Sequence, residues 1–271
     1  IIMNKKILFI GANGFMGYGM AHNLMKKNLL YVHSNKNREN IDKLISDGAI
    51  EIQSYDKIVN FELDCLMLCV TDTPIAIEIA NNIAPLLNPS TLVIDLTTHN
   101  KNGAKNMKSI FDQYKISFVV SPVMGSKNES IKGILGSIWG GEYEKFEESK
   151  IYLDTFCKNI FNFGSVDKAC SAKLLSNFLS LLTTTTVIEY FKVAKKLDVD
   201  WRKLFEVAKL GSGHSGALNR IAEKAISGDY TGYTFSVSNT VKDLTYINEL
   251  VKDLPNAEVF SAIAKTFLKN L

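Results

Sequence analysis

Lys173 and Asn177 stand four positions apart in the run Ala172-Lys173-Leu174-Leu175-Ser176-Asn177. On a helix that spacing puts an ammonium and a carboxamide on one face, pointing at a common spot. An ammonium there can give a proton to a carbonyl oxygen whose carbon receives a hydride, and can stabilise the alkoxide as it forms. The neighbouring amide would hold the substrate. Without context, a lysine near a helix start more often snorkels outward, and an asparagine behind it is more often a polar spot in a core. The choice depends on what the rest of the chain would bring to the pair.

A hydride source is the first requirement, and Gly11-Ala12-Asn13-Gly14-Phe15-Met16-Gly17 is the segment that could hold one. Glycines between a strand and a helix permit a tight turn, let backbone approach a pyrophosphate, and leave the helix N-terminus facing the anion. Gly11, Asn13, Gly14, Phe15 and Met16 are therefore expected to line a dinucleotide. Past the second strand the chain reads Ser34-Asn35-Lys36-Asn37-Arg38. An acidic residue for the ribose hydroxyls is absent and two cations are present, so NADP is expected over NAD, with NAD possible. Asn35, Lys36 and Asn37 are the contact residues expected there; the competing reading is a solvated basic turn.

Other chemistries find little support. The four histidines, His22, His33, His99 and His214, are widely spaced, and Cys65, Cys69, Cys157 and Cys170 form no C-x-x-C pair, so no metal site is expected. Buried thiols and the lack of a basic-then-apolar signal pattern favour a reducing compartment, the cytoplasm. The net charge of +3 comes from 31 basic residues scattered along 271 positions, which is no nucleic-acid footprint. Leu174 to Phe191 is apolar in bulk but broken by Asn177, Thr183 to Thr186 and Glu189, so a buried helix is expected rather than a membrane span.

The elements that must position these residues alternate through the first half. Lys5 to Ile10, Leu30 to Ser34, Cys65 to Val70, Thr91 to Asp95 and Ser117 to Val120 read as apolar strands. Helical patterns separate them at Phe15 to Asn28, Asn40 to Asp47 and Pro74 to Leu87. Near-continuous apolar strands alternating with helices imply a doubly wound parallel sheet, a Rossmann arrangement. Val70 and Thr71, at the end of one strand, are expected to face the cofactor. Beyond Gly164 the pattern becomes helical: Ala172 to Leu197, Trp201 to Leu210, Ala217 to Ser227, Val237 to Leu250 and Ala257 to Leu268. The reading is a cofactor domain over 1–164 and an all-α substrate and dimerisation domain over 165–271.

The residues resemble the β-hydroxyacid dehydrogenase family over nearly the whole chain. Gly14-Phe15-Met16-Gly17 with Met20-Ala21-His22-Asn23-Leu24 is similar to the family's G-x-M-G-x-x-M-A-x-N-L, and Asp95-Leu96-Thr97-Thr98 resembles its D-x-S-T turn. Pro122-Val123-Met124-Gly125-Ser126-Lys127 resembles the substrate segment, in the form used by the glyoxylate/succinic semialdehyde reductase branch. Gly164-Ser165-Val166, the Lys173 to Asn177 run and Glu189 resemble the catalytic helix, and Phe235 with Lys242-Asp243 the C-terminal motif. The resemblance implies that Lys173 is catalytic and that Thr97, Gly125, Ser126 and Asn177 bind substrate. It also implies that Thr98 and Lys242 reach the cofactor. The implied reaction interconverts a small aldehyde or oxo acid, such as succinic semialdehyde or glyoxylate, and its hydroxyacid.

Departures from the family sharpen the expectation. Met124 stands where a serine is usual, replacing a hydroxyl by a soft apolar chain and favouring a longer or less polar aldehyde. Lys36 replaces an arginine and loses its planar fork. An imine reductase shares the architecture but generally lacks the lysine, so Lys173 argues against it. A 6-phosphogluconate dehydrogenase would carry histidine where Ser176 stands. A catalytically silent dinucleotide-binding protein is the non-enzymatic alternative. The long apolar helix suggests a homodimer or homotetramer.

Overall fold

The computed structural model describes residues 4–33, 37–255 and 265. The chain opens with β1 (Lys6–Ile10), α1 (Gly17–Met25), β2 (Leu29–His33), α2 (Glu39–Ser46) and the short β3 (Ile50–Glu51). It continues with β4 (Cys65–Leu68), α3 (Thr73–Ile83), β5 (Leu92–Asp95), α4 (Lys101–Asp112) and β6 (Ser117–Val120). All six strands pair in parallel in the order β3-β2-β1-β4-β5-β6. The order reverses between β1 and β4, and the crevice outside their C-terminal ends is where such sheets bind ligands.

Alternation within β1 shows why its run is uniformly apolar. Ile7 and Phe9 lie in a core with Met20 and Leu24 of α1 and Ile41 and Leu44 of α2. Leu8 and Ile10 point the other way, into a core with Ala76 and Ala80 of α3 and Met107 and Phe111 of α4. Both faces are covered, so neither has room for a polar side chain. The doubly wound sheet is as the periodicity indicates.

A second sheet had no counterpart in the sequence reading. It is built from β7 (Val123–Met124), β8 (Leu135–Trp139) and β9 (Cys157–Asn162), with α5 (Lys127–Lys132) and α6 (Phe146–Leu153) between them. β7 and β8 are antiparallel, β8 and β9 parallel. Reciprocal backbone hydrogen bonds between Val120 and Gly140 join it to the end of β6. These strands hide from pattern reading for separate reasons. β7 has two residues, β8 is interrupted by Gly136-Ser137, and β9 exposes Lys158 and Asn159.

The long helix, α7 (Val166–Lys196), begins before the expected Ala172, following Gly164 at φ +84°. The division between two compact units of the chain falls inside it, at Lys173 and Leu174. Within it, Thr183 and Thr186 satisfy their hydroxyls by donating to the carbonyls of Leu179 and Leu182 at 2.8 and 2.9 Å. The second unit adds α8 (Trp201–Leu210), α9 (Gly216–Ala225) and α10 (Val237–Val251). Leu174, Phe178 and Leu181 pack with Leu244 and Ile247, and Val187 and Phe191 with Phe205 and Leu218. The helix expected over Ala257 to Leu268 lies outside the described residues. Among the described residues, no helix is long and apolar enough to cross a membrane.

Candidate active site

Between β1 and α1 the glycine segment turns where only glycine fits. Gly11 has φ +96°, and a Cβ there would lie 1.9 Å from the Cys69 carbonyl oxygen at the end of β4. A Cβ on Gly17 would lie 2.0 Å from the Gly11 oxygen. The Gly14 N–H donates to Gly11 at 3.0 Å, closing the turn. No side chain caps the first N–H groups of α1. A tight glycine cradle at the switch point, leading into an uncapped helix N-terminus, fits a dinucleotide pyrophosphate.

Neighbouring elements clamp this loop. The Asn13 carbonyl accepts from Asn40 of α2 at 3.1 Å, and the Met16 carbonyl from the Ser130 hydroxyl of α5 at 2.7 Å. Asn23 of α1 donates to the carbonyls of Ser130 and Ile131 at 2.9 and 3.1 Å. Phe15 is exposed at the tip, with the Lys127 ammonium 5.6 Å from its ring centroid. The α1–α5 contact thus ties the cofactor loop to the segment that follows Ser126.

At the end of β2, Asn35 and Lys36 lie outside the described residues. Asn37 accepts from the Glu39 N–H at 3.2 Å, at the start of α2. Arg38 is not the available cation that the sequence suggested. Its Nη1 and Nη2 donate to both carboxylate oxygens of Glu51 at 2.8 and 3.1 Å. Its Nε and Nη2 donate to Asp42 at 3.2 and 2.9 Å. One guanidinium thus faces two carboxylates. Fork-to-carboxylate pairing of this kind occupies the donors that a phosphate would use.

The turns after β4 and β5 are locked to each other. The Val70 N–H donates to the Thr97 hydroxyl at 3.2 Å, and the Thr97 N–H to Asp95 Oδ1 at 2.9 Å. Asp95 Oδ2 lies 2.7 Å from His99 Nε2, and His99 Nδ1 lies 3.0 Å from the Thr73 hydroxyl of α3. Asp95, Thr97 and His99 are all buried, while Thr98 is partly exposed and Thr71 exposed. The Thr97 hydroxyl, expected at the substrate, accepts in this turn and keeps its own proton for donation. The Asp95–His99–Thr73 chain was missed in sequence, although Asp and His four apart directly after a strand was the available signal.

Lys173 is buried at 8% exposure, and its ammonium donates to the Val123 carbonyl oxygen of β7 at 2.8 Å. That contact sets the amine beside the substrate-like segment. Gly125, at φ +135°, has a backbone conformation in which any side chain would be strained. Ser126 caps α5: its hydroxyl accepts from the Glu129 N–H while Glu129 accepts from the Ser126 N–H at 2.6 Å. As an acceptor in the cap, the hydroxyl keeps its proton for donation.

In the second unit, Asn177 Nδ2 donates to Asp243 Oδ2 at 2.7 Å. A carboxylate only accepts, so the amide nitrogen must face it and the amide oxygen is directed away. Lys242 lies 3.4 Å from Asp243 Oδ1, and Asp243 is buried. Burial raises three of the four thiols: Cys157 to about 12, and Cys65 and Cys170 further. Those cysteines are protonated core residues without nucleophilic character.

Residues 6–164 match the family described as the NAD binding domain of 6-phosphogluconate dehydrogenase. Residues 168–271 match the family described as NAD-binding of NADP-dependent 3-hydroxyisobutyrate dehydrogenase. The chain belongs to the β-hydroxyacid dehydrogenase family of NAD(P)-dependent oxidoreductases. A probable mitochondrial 3-hydroxyisobutyrate dehydrogenase of Dictyostelium discoideum is 28% identical over 207 residues, 74% of this chain and 63% of that protein. The 2-(hydroxymethyl)glutarate dehydrogenase of Eubacterium barkeri is 24% identical over 252 residues, 92% of this chain and 83% of that protein. In fold, this family member is similar to the Mycobacterium tuberculosis 3-hydroxyisobutyrate dehydrogenase with L-serine. The TM-score is 0.83 at 19% identity, covering 98% of this chain and 94% of that one.

Proposed function

We propose that this protein interconverts a small aldehyde or oxo acid, of the semialdehyde type, and the matching hydroxyacid, using a nicotinamide dinucleotide. The observation that carries the reading is the buried Lys173 ammonium on the Val123 carbonyl, beside Gly125-Ser126. A buried amine tethered to the Val123 carbonyl is held in place, as a proton donor to a carbonyl oxygen must be. When bound, the dinucleotide supplies or accepts the hydride.

Each chain group has a part in that chemistry. Lys173 Nζ gives the proton to the carbonyl oxygen and stabilises the alkoxide; in the oxidative direction it takes the proton back. Ser126 offers its hydroxyl proton to the substrate, Gly125 lets backbone come close, and Asn177, oriented by Asp243, offers its amide oxygen. Thr97, which accepts the Val70 N–H, offers its remaining hydroxyl proton to the substrate. Gly11, Asn13, Gly14, Phe15, Met16, Val70, Thr71, Thr98 and Lys242 form the dinucleotide-binding set, with Asn35, Lys36 and Asn37 at the adenosine end. Preference for NADP now rests on Lys36 and Asn37, because Arg38 is paired with Glu51 and Asp42.

The relatives support a carboxylate-bearing substrate, since the two sequence relatives are named for hydroxy acids. Met124 directs the reading toward a longer or less polar member of that class than glyoxylate. The deciding experiment follows oxidation of NADPH and NADH with succinic semialdehyde, glyoxylate, tartronate semialdehyde and methylglyoxal. NADP reduction by 3-hydroxyisobutyrate covers the reverse direction. Turnover of none of these, with reduction of a cyclic imine instead, would replace this reading by the imine-reducing one.

A homodimer or homotetramer in the cytoplasm completes the proposal. Leu179, Val193, Leu197 and Leu210 are 66%, 50%, 69% and 89% exposed, an apolar set that a second copy would cover. A 30.2 kDa species in light scattering at micromolar concentration would rule that out.

A further inference from the structure

The end of β2 is where a dinucleotide-binding sheet distinguishes a ribose hydroxyl from a 2′-phosphate. Here the neighbouring strand intrudes on that choice. β3 pairs in register so that Glu51 stands opposite Val32, next to the last residue of β2. From that position Glu51 receives two hydrogen bonds from the Arg38 guanidinium, and Asp42, one turn into α2, receives two more. Glu51 is the more buried of the two partners: its side chain is 20% exposed against 59% for Asp42. Glu39 and Lys43 pair separately on the same helix at 2.8 Å and leave the Arg38 donors untouched.

We infer that Glu51 is a specificity-determining residue: by holding the Arg38 guanidinium, it withholds from a 2′-phosphate the planar fork that would bind it best. The inference rests on the reading of the chain as a dinucleotide oxidoreductase and adds to it the group that sets the balance between NAD and NADP. A 2′-phosphate approaching this rim meets two carboxylates around one cation, so its charge is opposed until the pair opens. A ribose hydroxyl carries no charge and needs no opening of the pair. Glu51 lies well outside the segment that sequence reading searches for this role, and only the β2–β3 register brings it there.

The test is binding, independent of turnover. Isothermal titration of NADP and NAD is compared for the unsubstituted protein, Glu51→Gln, and Glu51→Gln combined with Arg38→Ala. Releasing the fork in Glu51→Gln raises the NADP-over-NAD affinity ratio by about tenfold, the scale of a charge-assisted fork contact. Removing Arg38 in the same background cancels the gain. Asp42→Asn, on the exposed face of α2, shifts the ratio in the same direction by less, and serves if Glu51→Gln fails to fold. A change below about twofold in both single variants overturns the inference. So does a gain that survives loss of Arg38, which would reflect general charge removal. If the unsubstituted protein binds neither dinucleotide, the underlying reading falls, a result distinct from binding without a shift in ratio.

Discussion

The ammonium of Lys173 and the carbonyl oxygen of Val123, 2.8 Å apart, join the long helix to the first strand of the small second sheet. Fifty residues separate them in sequence. The contact holds a buried amine against the strand that leads into Gly125 and Ser126.

Replacing this lysine by methionine keeps most of its volume and removes the proton. Lys173→Met should lower kcat by about 10²- to 10⁴-fold, the usual range for a positioned acid or base. Dinucleotide affinity should change by less than about threefold, because the cofactor cradle is elsewhere in the chain. Leaving the Val123 carbonyl without its donor should cost about 1–3 kcal/mol in urea unfolding. Near-normal kcat in a folded variant would remove Lys173 from the reaction.

The glycine turn gives a paired comparison. Gly11 and Gly48 both have φ in the left-handed region, +96° and +112°. A Cβ on Gly48 meets open space, whereas one on Gly11 meets the Cys69 carbonyl. Gly48→Ala should cost about 1–2 kcal/mol from backbone strain alone. Gly11→Ala should exceed it and abolish dinucleotide binding, since Cys69 backbone would have to move. Equal melting temperatures for the two variants would contradict the close approach.

His99 links the turns after β4 and β5 through Asp95 and Thr73. His99→Leu leaves the buried Asp95 oxygen without that partner, for a loss of about 3 kcal/mol. His99→Gln, which can restore one hydrogen bond, should recover part of it. Because the same turns carry Val70, Thr71 and Thr98, the dinucleotide KM should rise in His99→Leu more than kcat falls. A fall in kcat at unchanged KM would show that His99 does not position the cofactor turns.

Acid stability should depend on Asp64, at the entry to β4. Burial opposes its charge, but hydrogen bonds from Lys5 Nζ and the Lys6 N–H outweigh that and hold its carboxyl below the usual range. A folded value below the unfolded one means that the contribution is complete above about pH 4 and is lost as pH falls through the folded value. Asp64→Asn should therefore flatten the fall in urea midpoint below about pH 4. An unchanged slope would show that the pair adds nothing.

Legibility in the sequence follows how local each interaction is. β1, β4 and β5 are buried on both faces, so their apolar runs declare a parallel sheet, and the glycine segment declares the turn at its switch point. The four-residue spacing of Lys173 and Asn177 declares a shared helix face. β7, β8 and β9 left no such trace, because two-residue, glycine-interrupted and exposed strands carry no alternation. Composition around residue 38 pointed to two cations for a phosphate, yet one of them is bound to acids.

From its amino acids alone this chain determined its parallel sheet, through periodicity along single segments, while its short motifs carried the resemblance to the family and with it the expectation for Lys173. Tertiary structure decided what faces each group. It set Val123 under the Lys173 ammonium, Asp243 against Asn177, His99 between Asp95 and Thr73, and Glu51 against Arg38. Hydrogen bonds between residues 13 to 66 positions apart arise from strand register and helix contact, so no local pattern encodes them. The Asp95–His99 pair, four residues apart, is the exception that spacing could have revealed.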